Sequence, residues 1–100
     1  MIIVYIPCSG EEEARNISEA LLEAKLIACA NIFPIKSFYM WQGELQDDQE
    51  VVLLCKTADR MYEKVKKKVI AMHSYDTPCV MKVKAEANRD YEKWVKGQVK

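Results

Sequence analysis

The chain has 100 residues, half of them hydrophobic and 30% charged, with three Gly and three Pro; this is the profile of one folded domain over residues 1–100 and excludes a disordered or fibrous chain. Its fifteen basic and fifteen acidic residues cancel, which leaves no electrostatic footprint for nucleic acid or an anionic membrane surface. No apolar run approaches the ~18 residues of a membrane-spanning helix.

The opening segment, MIIVYIPCSG, lacks the basic start of a secretory signal and reads as a first strand over Ile2 to Ile6. A cytoplasmic protein is expected, with its four cysteines as thiols rather than disulfides. None of them forms a CxxC pair, so zinc-finger and thioredoxin readings have no local support. Pro7, Ser9 and Gly10 end the strand. Ser9 with Glu12 resembles a capping box, and Glu11 to Glu13 suit the positive end of a helix dipole. Ala14, Ile17, Leu21 and Ala24 recur at helical spacing, so a first helix should run to about Lys25.

Ala28 to Ile32 reads as a short strand, with Pro34 as a kink or an edge position. Two longer strands follow, Phe38 to Gln46 and Gln49 to Thr57, each about nine residues and roughly 30 Å long. Two turn positions compete, Gln42-Gly43 and Asp47-Asp48. The second keeps alternation on both arms and is preferred. It sets Tyr39 opposite Lys56, Trp41 opposite Leu54 and Gly43 opposite Val52, with Gly43 marking a bulge or a close backbone approach. Phe38 and Met40 then share the other face with Leu53 and Cys55. A hairpin of this length overhangs its own core, and its aromatic surface predicts contact with another copy of the chain.

Thr57 or Ala58 should begin a second helix with the stripe Met61, Val65, Val69 and Met72. The lysines Lys64, Lys66, Lys67 and Lys68 lie mainly off that stripe, as a solvated face. His73 to Pro78 is a polar link. Cys79, Val80, Met81 and Val83 read as the last core strand. Asn88 should cap a third helix with Tyr91, Trp94 and Val95 on its apolar side. The order is strand, helix, strand, strand, helix, strand, helix: an α+β, ferredoxin-like βαββαβ sandwich with a C-terminal helix, its first and third core strands central.

With these elements in place, LIACANIFPIKSFYMWQGELQDDQEVVLLCKT (residues 26–57), HSYDTP (73–78) and DYEKWV (90–95) together resemble the CutA divalent-cation-tolerance family over nearly the whole chain. Matching positions are Cys29, Asn31, Tyr39, Trp41, Gly43, Glu50, Lys56, Thr57, His73, Tyr75, Pro78, Tyr91 and Trp94. The resemblance implies a ferredoxin-like subunit in a tight cytoplasmic homotrimer, with the long hairpins packed between subunits. It implies a link to copper and other divalent metals through tolerance, not through an established reaction. It also implies a trimer like that of the PII signalling proteins, and hence a small-ligand or protein-partner sensing role as the alternative. Departures follow His73: Ser74 stands where the family commonly has proline, Asp76 where it has glutamate, and Cys79 where it has the glutamate of a proline-glutamate pair.

Catalysis has little to work with. There is one histidine, no GxSxG, no P-loop and no GxGxxG, and the cysteines sit in apolar runs where a thiol behaves as a small hydrophobe. A binding protein, not an enzyme, is expected, with no organic cofactor. For a soft metal such as copper, the topology sets the end of the first strand beside the start of the last. Cys8, Cys79 and possible neighbour His73 form the candidate metal set, against the reading of two unrelated thiols and a loop histidine. The acidic cluster Glu44, Asp47, Asp48 and Glu50 reads as a solvated hairpin tip. Tyr39, Trp41, Lys56, Tyr75 and Trp94 form the candidate small-ligand set, or else plain subunit interface. Lys56 interrupts an apolar strand and needs a partner if buried.

Overall fold

The computed structural model describes residues 1–100. In chain order it contains β1 (Ile2–Cys8), α1 (Glu11–Glu23), β2 (Cys29–Trp41), β3 (Glu44–Thr57), a 3₁₀ turn (Asp59–Met61), α2 (Tyr62–Met72), β4 (Met81–Lys84) and α3 (Arg89–Gln98). The strands form one antiparallel sheet in the order β2-β3-β1-β4, so the first and third strands are central, as the ferredoxin-like reading requires.

Alternation along β1 decides which face is covered. Ile2, Val4, Ile6 and Cys8 are fully buried, while the residues between them are half-buried. The buried set joins Ile17 and Leu21 of α1, Leu53 and Cys55 of β3, and Val65 and Val69 of α2 in one core between the sheet and the two helices. Fifteen buried residues share it. Each large aliphatic side chain removed from water there contributes about 1.5–3 kcal/mol before the entropy of ordering it. The buried stripe is Met61 of the 3₁₀ turn with Val65 and Val69 of α2; Met72 is exposed and marks where it leaves the core. Thr57 ends β3 by donating its hydroxyl to the Leu26 carbonyl at 2.7 Å, which ties the connection between α1 and β2 to the end of β3.

The hairpin turn is at Gln42-Gly43, not at Asp47-Asp48. The two residues have φ of 50° and 82°. A two-residue loop with positive φ at both positions matches the twist of antiparallel strands, and glycine takes such a φ without a Cβ penalty. Asp47 and Asp48 lie inside β3, opposite Phe38 and Ser37. The expected register is therefore corrected: Tyr39 faces Gln46 and Trp41 faces Glu44, while Lys56, Leu54 and Val52 face Cys29, Asn31 and Phe33. Gly43 is a turn residue and not a bulge. The two expected pieces of β2 are one strand, which Pro34 does not break because β2 is the sheet edge.

Three smaller expectations also change. Gly10 is the N-cap of α1 and no side chain caps it; the Ser9–Glu12 box is replaced by the Ser9 N–H donating to Glu13 Oε1 at 2.9 Å. β4 begins at Met81, so Cys79 and Val80 precede the strand. Asn88 stands at the N-cap of α3 without a side-chain bond.

The hairpin projects beyond the core, in a subunit measuring 45 × 25 × 21 Å. Phe38, Met40 and Leu45 are 63%, 63% and 69% exposed on one of its faces. Gly43→Ala forces a Cβ into the left-handed region and should lower stability by about 1–2 kcal/mol. Gly97→Ala, in α3 with nothing within 4 Å of the added carbon, should instead raise it by about 0.5 kcal/mol. Guanidinium unfolding at one fixed protein concentration compares the two; a turn at Asp47-Asp48 would leave Gly43→Ala without effect.

Candidate functional site

β4 pairs with β1 only as far as Tyr5, opposite Met81, so Ile6, Pro7 and Cys8 have a strand neighbour on the β3 side alone. A residue of an antiparallel strand presents its N–H and C=O to the same side. Pro7 has no N–H to leave unpaired, and its carbonyl is met from the loop after α2: His73 Nε2 lies 2.8 Å from it. That contact requires the proton on Nε2, which leaves Nδ1 as the acceptor. Nδ1 takes the backbone N–H of Tyr75 at 3.2 Å.

Glu13 closes the corner. It sits in the first turn of α1, just after β1 ends. Its carboxylate accepts the Ser9 N–H at 2.9 Å and the Ser74 N–H at 2.8 Å, and its Oε1 is 4.0 Å from His73 Nδ1. Burial alone would raise its pKa, but the hydrogen bonds from Ser9 and Ser74 outweigh it and hold the carboxyl below its ordinary range. Cys8 Sγ completes a cluster in which thiol, carboxylate and imidazole each offer one ligand atom within 4.8 Å of the others. Burial, then the charges of Glu13 and Glu50, push the Cys8 thiol up to about 12. It donates to the Ile6 carbonyl at 3.5 Å.

The sequence-derived metal set is thus changed in one member. Cys8 and His73 meet. Cys79 does not join them: it lies in the loop before β4, exposed, on the wall of a separate cavity. The third group is Glu13, which the sequence presents only as one of three helix-opening glutamates. Its distinguishing signal is position, because it is the one of the three that a tight β1-to-α1 turn returns to the end of β1.

The cavity occupies the sheet face away from α1 and α2, running from the root of the hairpin at Glu50 toward its turn at Trp41, with a volume of about 430 Å³. Tyr39, Trp41 and Tyr75 line it with Asp48, Glu50, Asp76 and Cys79. Alternation along β3 sends Asp48 and Glu50 to this face and Asp47 to the other, where Asp47 approaches Lys36 at 3.9 Å. The expected acidic tip is therefore divided, and half of it is cavity wall. The Tyr39 hydroxyl donates to Asp48 and the Tyr75 hydroxyl to Glu50 Oε2 at 2.6 Å. Burial and then the Glu50 bond push the Tyr75 phenol up; the Asp48 bond does the same for Tyr39, and burial followed by Glu50 does so for Cys79.

Of the five residues read as a small-ligand set, Tyr39, Trp41 and Tyr75 meet in this cavity, whereas Lys56 and Trp94 are elsewhere. Lys56 Nζ lies 5.7 Å from the ring centre of Tyr91, whose ring is 5.7 Å from that of Trp94. The partner Lys56 needs is thus an aromatic face on α3.

The family of CutA1 divalent ion tolerance proteins matches residues 2–98. The divalent-cation tolerance protein CutA of Thermus thermophilus is 44% identical over 96 residues, spanning 94% of this chain and 93% of that protein. The crystal structure of CutA1 from Pyrococcus horikoshii superposes with a TM-score of 0.96 at 35% identity, covering 100% of this chain and 99% of that one. A PII-like protein CutA from a Nostoc species superposes with a TM-score of 0.93 at 28% identity, covering 100% of this chain and 98% of that one. A family match over nearly every residue, joined to a ferredoxin-like sheet that superposes along its whole length, places this chain in the CutA divalent-cation tolerance family.

Proposed function

We propose that this chain serves divalent-cation tolerance, for copper in particular, by holding the ion and not by catalysing a reaction. Cys8, Glu13 and His73 would hold it. The observation that supports this is the convergence of the three ligand atoms within 4.8 Å. Thiolate, carboxylate and imidazole together suit borderline and soft divalent ions such as copper and zinc, not magnesium or calcium. A ligating histidine usually donates its other ring N–H to a carbonyl or carboxylate. His73 already does so through Nε2 and Pro7, which leaves Nδ1, on the Glu13 side, to take a metal once it gives up the Tyr75 N–H.

The acidity of Cys8 sets the pH behaviour. A thiol pushed up to about 12 is protonated at neutral pH. A bound cation favours the thiolate, so binding expels that proton, and affinity should climb about tenfold per pH unit. Calorimetric titration of the full chain with copper(II) and redox-inert zinc(II), between about pH 6 and 8, reads this slope. Cys8→Ser and His73→Gln should each weaken binding by about tenfold or more, and Cys79→Ser should leave it unchanged. A flat pH profile, or loss of binding in the Cys79 variant alone, would remove the cluster from this role.

We also propose that the subunit works as a cytoplasmic homotrimer. The projecting hairpin supports it, because Phe38, Met40 and Leu45 form one exposed apolar face of a kind that monomers rarely leave in water. Light scattering at micromolar protein should return three times the chain mass, and Met40→Glu combined with Leu45→Glu should return one. A monomeric parent chain would overturn the assembly. A second reading, a PII-like sensor of a small ligand, is favoured by the Tyr39–Trp41–Tyr75 cavity alone.

A further inference from the structure

The cavity has an unusual lining. Three carboxylates face it, from Asp48, Glu50 and Asp76, beside three aromatic rings, from Tyr39, Trp41 and Tyr75. No lysine, arginine or histidine contributes to its wall. Glu50 is the critical group. It is only 8% exposed, yet no cationic side chain of its own subunit pairs with it; its one hydrogen-bond partner there is the neutral Tyr75 hydroxyl at Oε2. A buried carboxylate ordinarily has a cation beside it, because desolvating an unpaired charge is expensive. The surrounding acids all feel its field: Glu50 favours the protonated forms of Cys79, Tyr75, Tyr39 and Cys8.

We propose that this cavity binds a small organic ammonium ion, its positive nitrogen opposite Glu50 and its alkyl groups among the rings of Tyr39, Trp41 and Tyr75. This deepens the small-ligand reading above by naming the class of ligand, and it rests on that reading only in placing a small molecule here. The volume, about 430 Å³, lies within the range of small-molecule sites. Aromatic rings attract cations through their quadrupoles, and quaternary ammonium groups are the ligands that aromatic cages with carboxylates take best. A hydrated metal ion needs the carboxylates and gains nothing from the rings. An anion would be repelled by all three acids. The carboxylates and rings together select an alkylated cation. Asp76 stands on the loop between Tyr75 and β4, so the cavity is closed on one side by the segment that also carries His73.

The test is titration of the full chain with choline and with the uncharged alcohol in which carbon replaces its nitrogen, followed by calorimetry and by tryptophan fluorescence. Choline should bind saturably, and the alcohol at least about tenfold more weakly, since it keeps the shape and loses the charge. Glu50→Gln and Trp41→Leu should each lower choline affinity by about tenfold or more. Because Glu50 is buried, Asp76→Asn serves as a second charge variant at an exposed position, with a loss of several-fold expected. Equal binding of the alcohol would show a merely apolar cleft and overturn the proposal. Saturation by magnesium(II) without choline binding would make it a metal-ion site and overturn it too. Binding of succinate or inorganic phosphate but not choline would overturn the ammonium assignment while the sensing reading stands; binding of none of these probes would overturn both.

Discussion

Everything near the candidate site depends on one mismatch of length. β1 has seven residues and β4 has four, and β4 stops pairing at Tyr5. The last three residues of the central strand are then left without a neighbour on one side, at the edge of the main core. Backbone carbonyls in such a place must find donors or bear the desolvation penalty. The loop after α2 supplies one, through His73 to Pro7, and proline at that position removes the need for an acceptor in return. Glu13 then satisfies two backbone donors at once, Ser9 before α1 and Ser74 after α2. The corner where strand, helix and loop meet is held by side chains because the sheet does not reach it, and those side chains are a thiol, a carboxylate and an imidazole.

The same shortfall explains which part of the site is legible in the sequence. The ferredoxin-like order follows from the alternation of apolar runs and helical stripes, and it is enough to bring Cys8 toward His73. Cys79 fails because bringing two strand ends side by side does not fix which face each side chain takes, and the strand itself starts only at Met81. Alternation settles the face: Met81 pairs with Tyr5, so Cys79 falls in line with Pro7 on the open side and not with Cys8 on the helix side. Glu13 is hidden for a different reason. Three successive glutamates at a helix start have a sufficient explanation in the helix dipole, and only the tightness of the β1-to-α1 turn distinguishes the third.

The hairpin shows what side-chain alternation can and cannot decide. A period of two fixes faces, so Tyr39 and Trp41 fall on the side of Val52, Leu54 and Lys56 under either turn, and Phe38 and Met40 fall on the side of Leu53 and Cys55. Register is another matter. Sliding one strand past the other by an even number of residues preserves every face. The choice between Gln42-Gly43 and Asp47-Asp48 therefore rests on turn chemistry alone, where glycine at a positive φ outweighs a second aspartate. The consequence is large for function: with the turn at Gln42-Gly43, Asp48 and Glu50 leave the solvated tip and become the wall of a cavity that the other register does not contain.

Tyr75 is where the two candidate sites meet. Its backbone N–H holds His73 Nδ1, its ring lies 4.6 Å from the His73 ring, and its hydroxyl is bonded to Glu50. One residue therefore spans from the thiol–carboxylate–imidazole corner on the helix side of the sheet to the acidic aromatic cavity on the open side. The coupling is carried by groups with few alternatives. The His73 side chain is fully buried and Glu50 nearly so, and each would be left with an unsatisfied polar atom if Tyr75 moved away. A cation at either site competes for a partner that Tyr75 now holds: Nδ1 on one side, the Glu50 carboxylate on the other. The short loop from His73 to Pro78 is thus the hinge between the two chemistries, and its residues are set by both at once.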